Sequence, residues 1–267
     1  MAIGSGTPAA ATAPAGAMRM QPTHLADLAA RGLVTRAASG NAAAERTLPL
    51  LPVFRPLVPQ GAVQRGSVVG CEGGAAVSLA LAFAAGPSQE GAWVAVAGLP
   101  GLGLAAAAEA GVVLERLVAV TEPVAADGTP EPFDDTRWAD LLAACIDGFD
   151  VVVLGPGTRH VRQGTARRLV ARLQARGAVA VTVGAPVFGP DLRLHGAAPQ
   201  WVGLGEGHGV ARGRRLEVSL SGRRVPRDRH AVCWLPAADG SPRLDQSEHT
   251  DRQAEQSDVV VPLRRTG

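Results

Sequence analysis

The sequence predicts an α/β protein with a mostly parallel sheet, flanking helices and an antiparallel C-terminal extension. Three observations predict it. Short Val-rich runs recur at about 67–70, 92–97, 117–120, 150–154 and 179–183. Helical stretches at about 76–85, 102–110, 136–146 and 161–176 separate them, and strands apolar on both faces joined by helices build a covered parallel sheet. After residue 198 the rhythm changes to strand and turn, with Trp201–Leu204, Arg214–Ser221 and His230–Leu235 joined by Gly-rich or Arg-rich turns.

Taken in order, residues 1–20 are rich in Ala, Gly, Pro and Ser and are expected to be a disordered tail. Residues 21–47 hold a short helix, Pro22–Arg31, with Thr23 as its N-cap, and a linker. The core is placed at 48–236. It is entered through LPLLPVFRPLVPQGAVQRGSVVG, which prolines break until the β-run at Ser67–Val69. Residues 237–267 read as a disordered acidic tail with one short apolar motif at Gln256, Val259, Val260 and Leu263. Glutamine, then acid, then an apolar pair outlines a clamp-binding peptide without its usual aromatic, and such a patch on a disordered tail is a form of linear partner motif.

Composition excludes several chemistries. All 26 basic residues are arginine, because the chain has no lysine. A P-loop lysine, a Schiff-base lysine and a lysine general base are therefore ruled out. Cys71, Cys145 and Cys233 are an odd, widely spaced set with no CxxC, which suggests neither a disulfide framework nor a zinc site and fits a reducing cytoplasm. No uninterrupted apolar stretch reaches about 18 residues, so no membrane span is expected. The net charge of +2 hides a segregation: residues 71–150 carry two arginines against twelve acids, and residues 151–230 fourteen arginines against four acids. One half is expected to attract anions and the other to repel them.

The stretch from Val68 to Phe83, VVGCEGGAAVSLALAF, has the cadence of a phosphate-binding loop, a strand turning through glycines into an apolar helix. A working loop of this kind needs backbone N–H groups around the phosphates, a lysine, and a Ser or Thr on Mg²⁺. Laid on GxxxxGK[ST], the segment keeps Gly70 and carries Ala75, Ala76 and Val77 where Gly-Lys-Thr belongs, with Ser78 as a displaced hydroxyl. The strand 150–154 ends in Gly155-Pro156-Gly157 instead of a metal-orienting Asp, and Asp150 sits at its wrong end. The strand at Trp93–Ala97 is followed by Gly98-Leu99-Pro100-Gly101-Leu102, with no carboxylate to orient an attacking water. The expected vestigial loop therefore comprises Gly70, Glu72, Gly73, Gly74, Ala76 and Ser78, and no enzymatic activity, cofactor or metal is expected.

On these residues a resemblance can be named. GCEGGAAVSLALAF resembles the nucleotide-loop segment of RecA-type recombinases at Gly70, Glu72 and Leu79-Ala80-Leu81, and the likeness continues through Gly111-Val112 and Asp150–Gly155. The stretches 65–117 and 201–224 are similar to the ImuA-type (ImuA′) RecA-like accessory proteins of actinobacterial mutasomes. The resemblance covers about residues 48–236 and implies a RecA-like core. It further implies a cytoplasmic, nucleoid-associated accessory role in DNA-damage-induced, error-prone translesion synthesis. The implied partners are an ImuB-type Y-family polymerase homologue and, through it, a DnaE-type error-prone polymerase and the sliding clamp. RecA-like cores often carry an N-terminal helical arm that packs on a neighbouring subunit, so self-association is a second implication.

Two rival functions stay open at this point. A stand-alone DNA-binding protein would use the basic half, with Arg168 and Arg172 on a flank of the helix at 161–176 and Arg212, Arg214, Arg215, Arg223 and Arg224 on the strands and turns that follow. No aromatic interleaves these arginines, so stacking on single-stranded bases is not indicated. An atypical nucleotide-dependent enzyme would need an arginine in place of the lysine, and Arg65 is the basic residue near the loop. The histidines, among them His160, His195, His208, His230 and His249, have no i,i+4 pairing and no cysteine companion, and no GxSxG elbow occurs.

Overall fold

The structure is a computed structural model that describes residues 46–58, 60–124, 131–184, 188–204, 209–223 and 225–245. The expected helix at Pro22–Arg31, the apolar motif from Gln256 to Leu263 and Arg224 lie outside these residues.

Strands β1 (Thr47–Pro49) and β2 (Ala62–Gln64) pair as a small antiparallel ribbon. The central sheet follows, built from β3 (Val68–Gly73), β4 (Val94–Ala97), β5 (Leu117–Val120), β6 (Val151–Leu154), β7 (Val179–Val183), β8 (Leu192–Leu204), β9 (Gly209–Gly222), β10 (Arg229–Trp234) and β11 (Arg243–Leu244). Its strand order is β11-β10-β9-β8-β3-β7-β6-β4-β5. The six strands from β8 to β5 are parallel, while β9, β10 and β11 join antiparallel. The α/β class, the mostly parallel sheet, the flanking helices and the antiparallel C-terminal group are thus as expected.

Four helices connect and cover the parallel strands: α1 (Ala76–Gln89), α2 (Leu104–Glu109), α3 (Asp135–Gly148) and α4 (Gln163–Arg176). Every residue of α1 from Leu79 to Ser88 is buried, the pattern of a helix enclosed on all sides. One side of it meets Val69, Cys71, Val94 and Val153 on the parallel strands; Phe54, Leu57, Leu216, Val218 and Cys233 complete the same apolar cluster. On the opposite face of the sheet, α3 buries Trp138, Leu141, Leu142, Cys145 and Ile146, and α4 buries Ala166, Leu169 and Leu173, both at helical spacing. Asp134 caps α3 by accepting from the Arg137 N–H at 2.8 Å.

Three expectations need correction. The core runs past Pro236, because residues 237–241 form a hydrogen-bonded turn that returns β11 to the edge of β10, and Asp245 pairs with Arg215 at 2.6 Å. Strand β8 begins at Leu192, not Trp201. Its first half, the parallel neighbour of β3, was masked in the sequence by Pro199 and by the register shift between Ala197 and Gln200. The two halves of opposite charge are not kept apart. The acidic half folds onto the basic one through Arg172 and Arg176 on Asp147, Arg162 on Asp135 and Arg193 on Glu72.

Candidate functional site: a sealed nucleotide edge and an open strand edge

In open α/β sheets ligands bind outside the carboxyl ends of the parallel strands. Here the protein's own backbone closes part of that edge, at the ends of β3, β4 and β6. Strand β3 continues in register through Gly73, which lies opposite Gly196 of β8, so only Gly74 and Ala75 separate it from α1. Gly70, Glu72 and Gly73 therefore belong to a strand and not to a loop, which corrects the expected phosphate-loop geometry. Gly73 has φ +84°, and a Cβ there would meet the Gly196 carbonyl oxygen at 2.2 Å. A two-residue connection cannot wrap a phosphate chain in backbone N–H groups, the feature on which such loops depend. Glu72 is held by Arg193 at 3.5 Å, and Ala76 opens α1 with no side-chain cap before it.

The ends of β4 and β6 are closed more tightly still. The Gly157 N–H donates to the Gly98 carbonyl at 2.8 Å, and a Cβ on Gly155 would stand 2.4 Å from that same oxygen. Buried Thr158 locks the turn by donating from Oγ1 to the Gly155 carbonyl at 2.8 Å. Glu122, two residues past β5, is committed to the Phe133 N–H at 3.0 Å. Asp150 stands at the amino end of β6, where it accepts from Arg65 Nη1 at 2.8 Å and from the Trp93 N–H at 3.2 Å. Arg65 precedes β3 and is spent on this pair, so it stands at the opposite end of the strand from the loop. No group of three or more His, Cys, Asp or Glu side chains among the described residues is placed to hold a metal ion. The three cysteines are buried and free. Burial pushes the Cys145 thiol up to about 12, the Cys233 thiol up to about 11 and the Cys71 thiol higher still, which keeps all three protonated.

The structure does not gather the predicted phosphate-binding arginines into one surface. Arg214 is buried, a correction to its expected place on the surface. Its Nε donates to the Leu235 carbonyl at 2.8 Å and its Nη2 to Ser78 Oγ at 2.8 Å, while the guanidinium lies 5.2 Å from the Trp201 ring. Burial lowers its pKa from the usual arginine value. It ties β9 to the start of α1 and takes up the displaced Ser78 hydroxyl. Arg172 is bound to Asp147 and Arg215 to Asp245. Arg168, Arg212 and Arg223 are exposed, with Arg212 and Arg223 toward opposite ends of β9 and Arg168 on α4.

Two features escaped sequence reasoning. Glu72, His195, Ser219 and His230 stand directly opposite one another across β3, β8, β9 and β10. The last three line a cavity of about 470 Å³. A larger groove of about 810 Å³ lies where Leu51 and Val53, the end of α2 and the β8–β9 pair meet, with Trp234 and Arg212 in its wall. Neither had a signal in the sequence, because both depend on strand register across segments far apart in the chain.

Comparison with known proteins finds a match to the family model of the MT3502 N-terminal domain over residues 56–189. Protein Rv3395c of Mycobacterium tuberculosis (strain ATCC 25618 / H37Rv) is 35% identical over 139 residues, which cover 52% of this chain and 62% of that protein. Among solved structures, the flagellar accessory protein FlaH from Methanocaldococcus jannaschii matches with a TM-score of 0.47 at 12% identity, over 70% of this chain and 93% of that one.

Proposed function

The chain belongs to the MT3502 N-terminal domain family, and on that premise we propose that it is a non-catalytic accessory protein of DNA-damage-induced, error-prone translesion synthesis. In this role it recruits a Y-family polymerase homologue of the ImuB type and, through it, a DnaE-type polymerase and the sliding clamp. The observation that carries the non-catalytic part is the two-residue connection Gly74-Ala75 between β3 and α1. Where a nucleotide's phosphates belong, the strand and helix are already joined. The direction toward translesion synthesis comes from the motifs at 65–117 and 201–224, which resemble the ImuA-type accessory proteins. Recruitment is a matter of binding energy alone, and no bond is made or broken by this chain.

Three measurements test the reading. ATP with Mg²⁺ is expected to leave the melting temperature unchanged, whereas a bound ligand at a hundred times its dissociation constant adds roughly 2.7 kcal/mol of stability. The Ala76→Lys variant is expected to show no ATP turnover, since Gly98–Gly101 and Gly155 still offer no carboxylate; turnover would refute the vestigial assignment. The partner is tested by recovering the full chain from DNA-damaged cells of its own source with nuclease added. Nuclease-resistant recovery of the polymerase homologue supports the proposal. Recovery of nucleic acid and its passengers alone overturns it in favour of a DNA-binding protein.

A further inference from the structure

Strands β8 and β9 run on beyond their neighbours. Strand β3 stops at Gly73, opposite Gly196, and β10 stops at Trp234, opposite Arg215. From Gly209 to Gly213, β9 therefore has β8 on one side and no described strand on the other. Six large apolar side chains are exposed among the described residues, and four of them, Trp201, Val202, Leu204 and Val210, sit on this projecting pair. Val210 is 74% exposed. Unpaired strand edges and apolar patches are each features that soluble proteins blunt or cover. Here they coincide.

The groove of about 810 Å³ adjoins this edge and shares Val202, Arg212 and Gly213 with it. Leu51, Val53 and Trp234 give it an apolar wall. Its charged lining is Arg212, Arg243 and Glu109, and Arg243 is already paired with Asp239. Arg212 is exposed on the outer part of β9.

We infer that the outer edge of β9 is a docking surface for an extended segment of a protein partner. The segment adds as a strand along Gly209–Arg212, lays apolar side chains into the groove and sets a carboxylate against Arg212. Strand addition suits this site because main-chain hydrogen bonds supply affinity and alternate side chains supply specificity. A nucleic acid fits less well. The exposed aromatic of the pair, Trp201, already has the Arg214 guanidinium 5.2 Å from its ring, Val202, Leu204 and Val210 offer no aromatic face to a base, and of the arginines on this part of β9, Arg214 is buried and Arg215 is paired.

The inference rests on the adaptor reading, with the polymerase homologue as the partner. Its test uses the full chain with Val210→Glu and, separately, Arg212→Glu, each measured for binding to the purified polymerase homologue. A photo-reactive residue placed at 210 maps the contact. Each variant is expected to bind at least about tenfold more weakly while melting within about 2 °C of the wild type. The cross-link is expected to fall on an apolar segment of the homologue that carries an acid. If the wild type binds and both variants bind equally well, the docking surface is wrong and the adaptor reading stands. If the wild type does not bind the homologue at all, both fall. A cross-link between two copies of this chain, or retention that nuclease abolishes, overturns the inference in favour of those occupants.

Discussion

The carboxyl edge of the parallel strands and the far end of the β8–β9 pair are finished in opposite ways. At the first, Gly98, Gly155 and Gly157 press backbone on backbone and buried Thr158 holds the turn shut. At the second, β9 runs on without an outer neighbour among the described residues and carries Val210 74% exposed. Backbone closes the ends of β4 and β6, whereas apolar side chains stand exposed where β8 and β9 outrun their described neighbours.

The strongest way to break that contrast is to force the sealed edge apart. Gly155→Val sets a side chain against the Gly98 carbonyl and the Leu99 backbone, where no flexible group can yield. Overpacking of this sort is expected to cost about 3 kcal/mol in urea denaturation. A cost below about 1 kcal/mol would show that the edge opens readily. Next in size is Arg214→Met, which removes the hydrogen bonds to Leu235 and Ser78 and leaves a buried carbonyl without its donor. About 2 kcal/mol is expected, seen as a lowered denaturation midpoint. Weakened DNA retention with unchanged stability would instead return Arg214 to the surface.

Smaller effects sharpen the comparison. The hydrogen bond from Arg172 holds the Asp147 carboxyl below its usual range, with burial opposing and Arg176 assisting. A carboxyl whose folded pKa is depressed contributes stability above its unfolded pKa and loses it as pH falls through the folded one. Asp147→Asn is therefore expected to cost up to about 1 kcal/mol near neutral pH, because the pair is largely solvated. Wild type and variant should converge in acid. Smallest of all is Leu204→Ser on the open end, expected within about 0.5 kcal/mol of wild type. A larger loss would mean that this patch packs within the protein and is not a free surface.

Much of the parallel half was legible in the sequence. Its strands are short, Val-rich and apolar on both faces, and its helices repeat apolar residues at 3.6 spacing, so local composition and local structure agree. The missing lysine and the glycines at 98, 101, 155 and 157 likewise announced a site without carboxylates. The extension was read less well. Strand β8 hides behind Pro199 and a bulge, and β11 is only two residues long with a polar approach. Arg214 looked like its neighbours Arg212 and Arg215 because three arginines on one strand are equivalent until the register decides which faces the core.

The sequence by itself determined the succession of strands β3 to β7 with the helices between them, and the absence of lysine chemistry. These follow from residue identity and spacing along the chain. Only the tertiary structure decided that two residues join β3 to α1, that Asp147, Asp135 and Glu72 of the acidic half pair with arginines of the basic half, and that the outer part of β9 lies beside an apolar groove. Each of these depends on register and close approach between segments far apart in sequence, and backbone hydrogen bonding, rather than side-chain identity, sets that register.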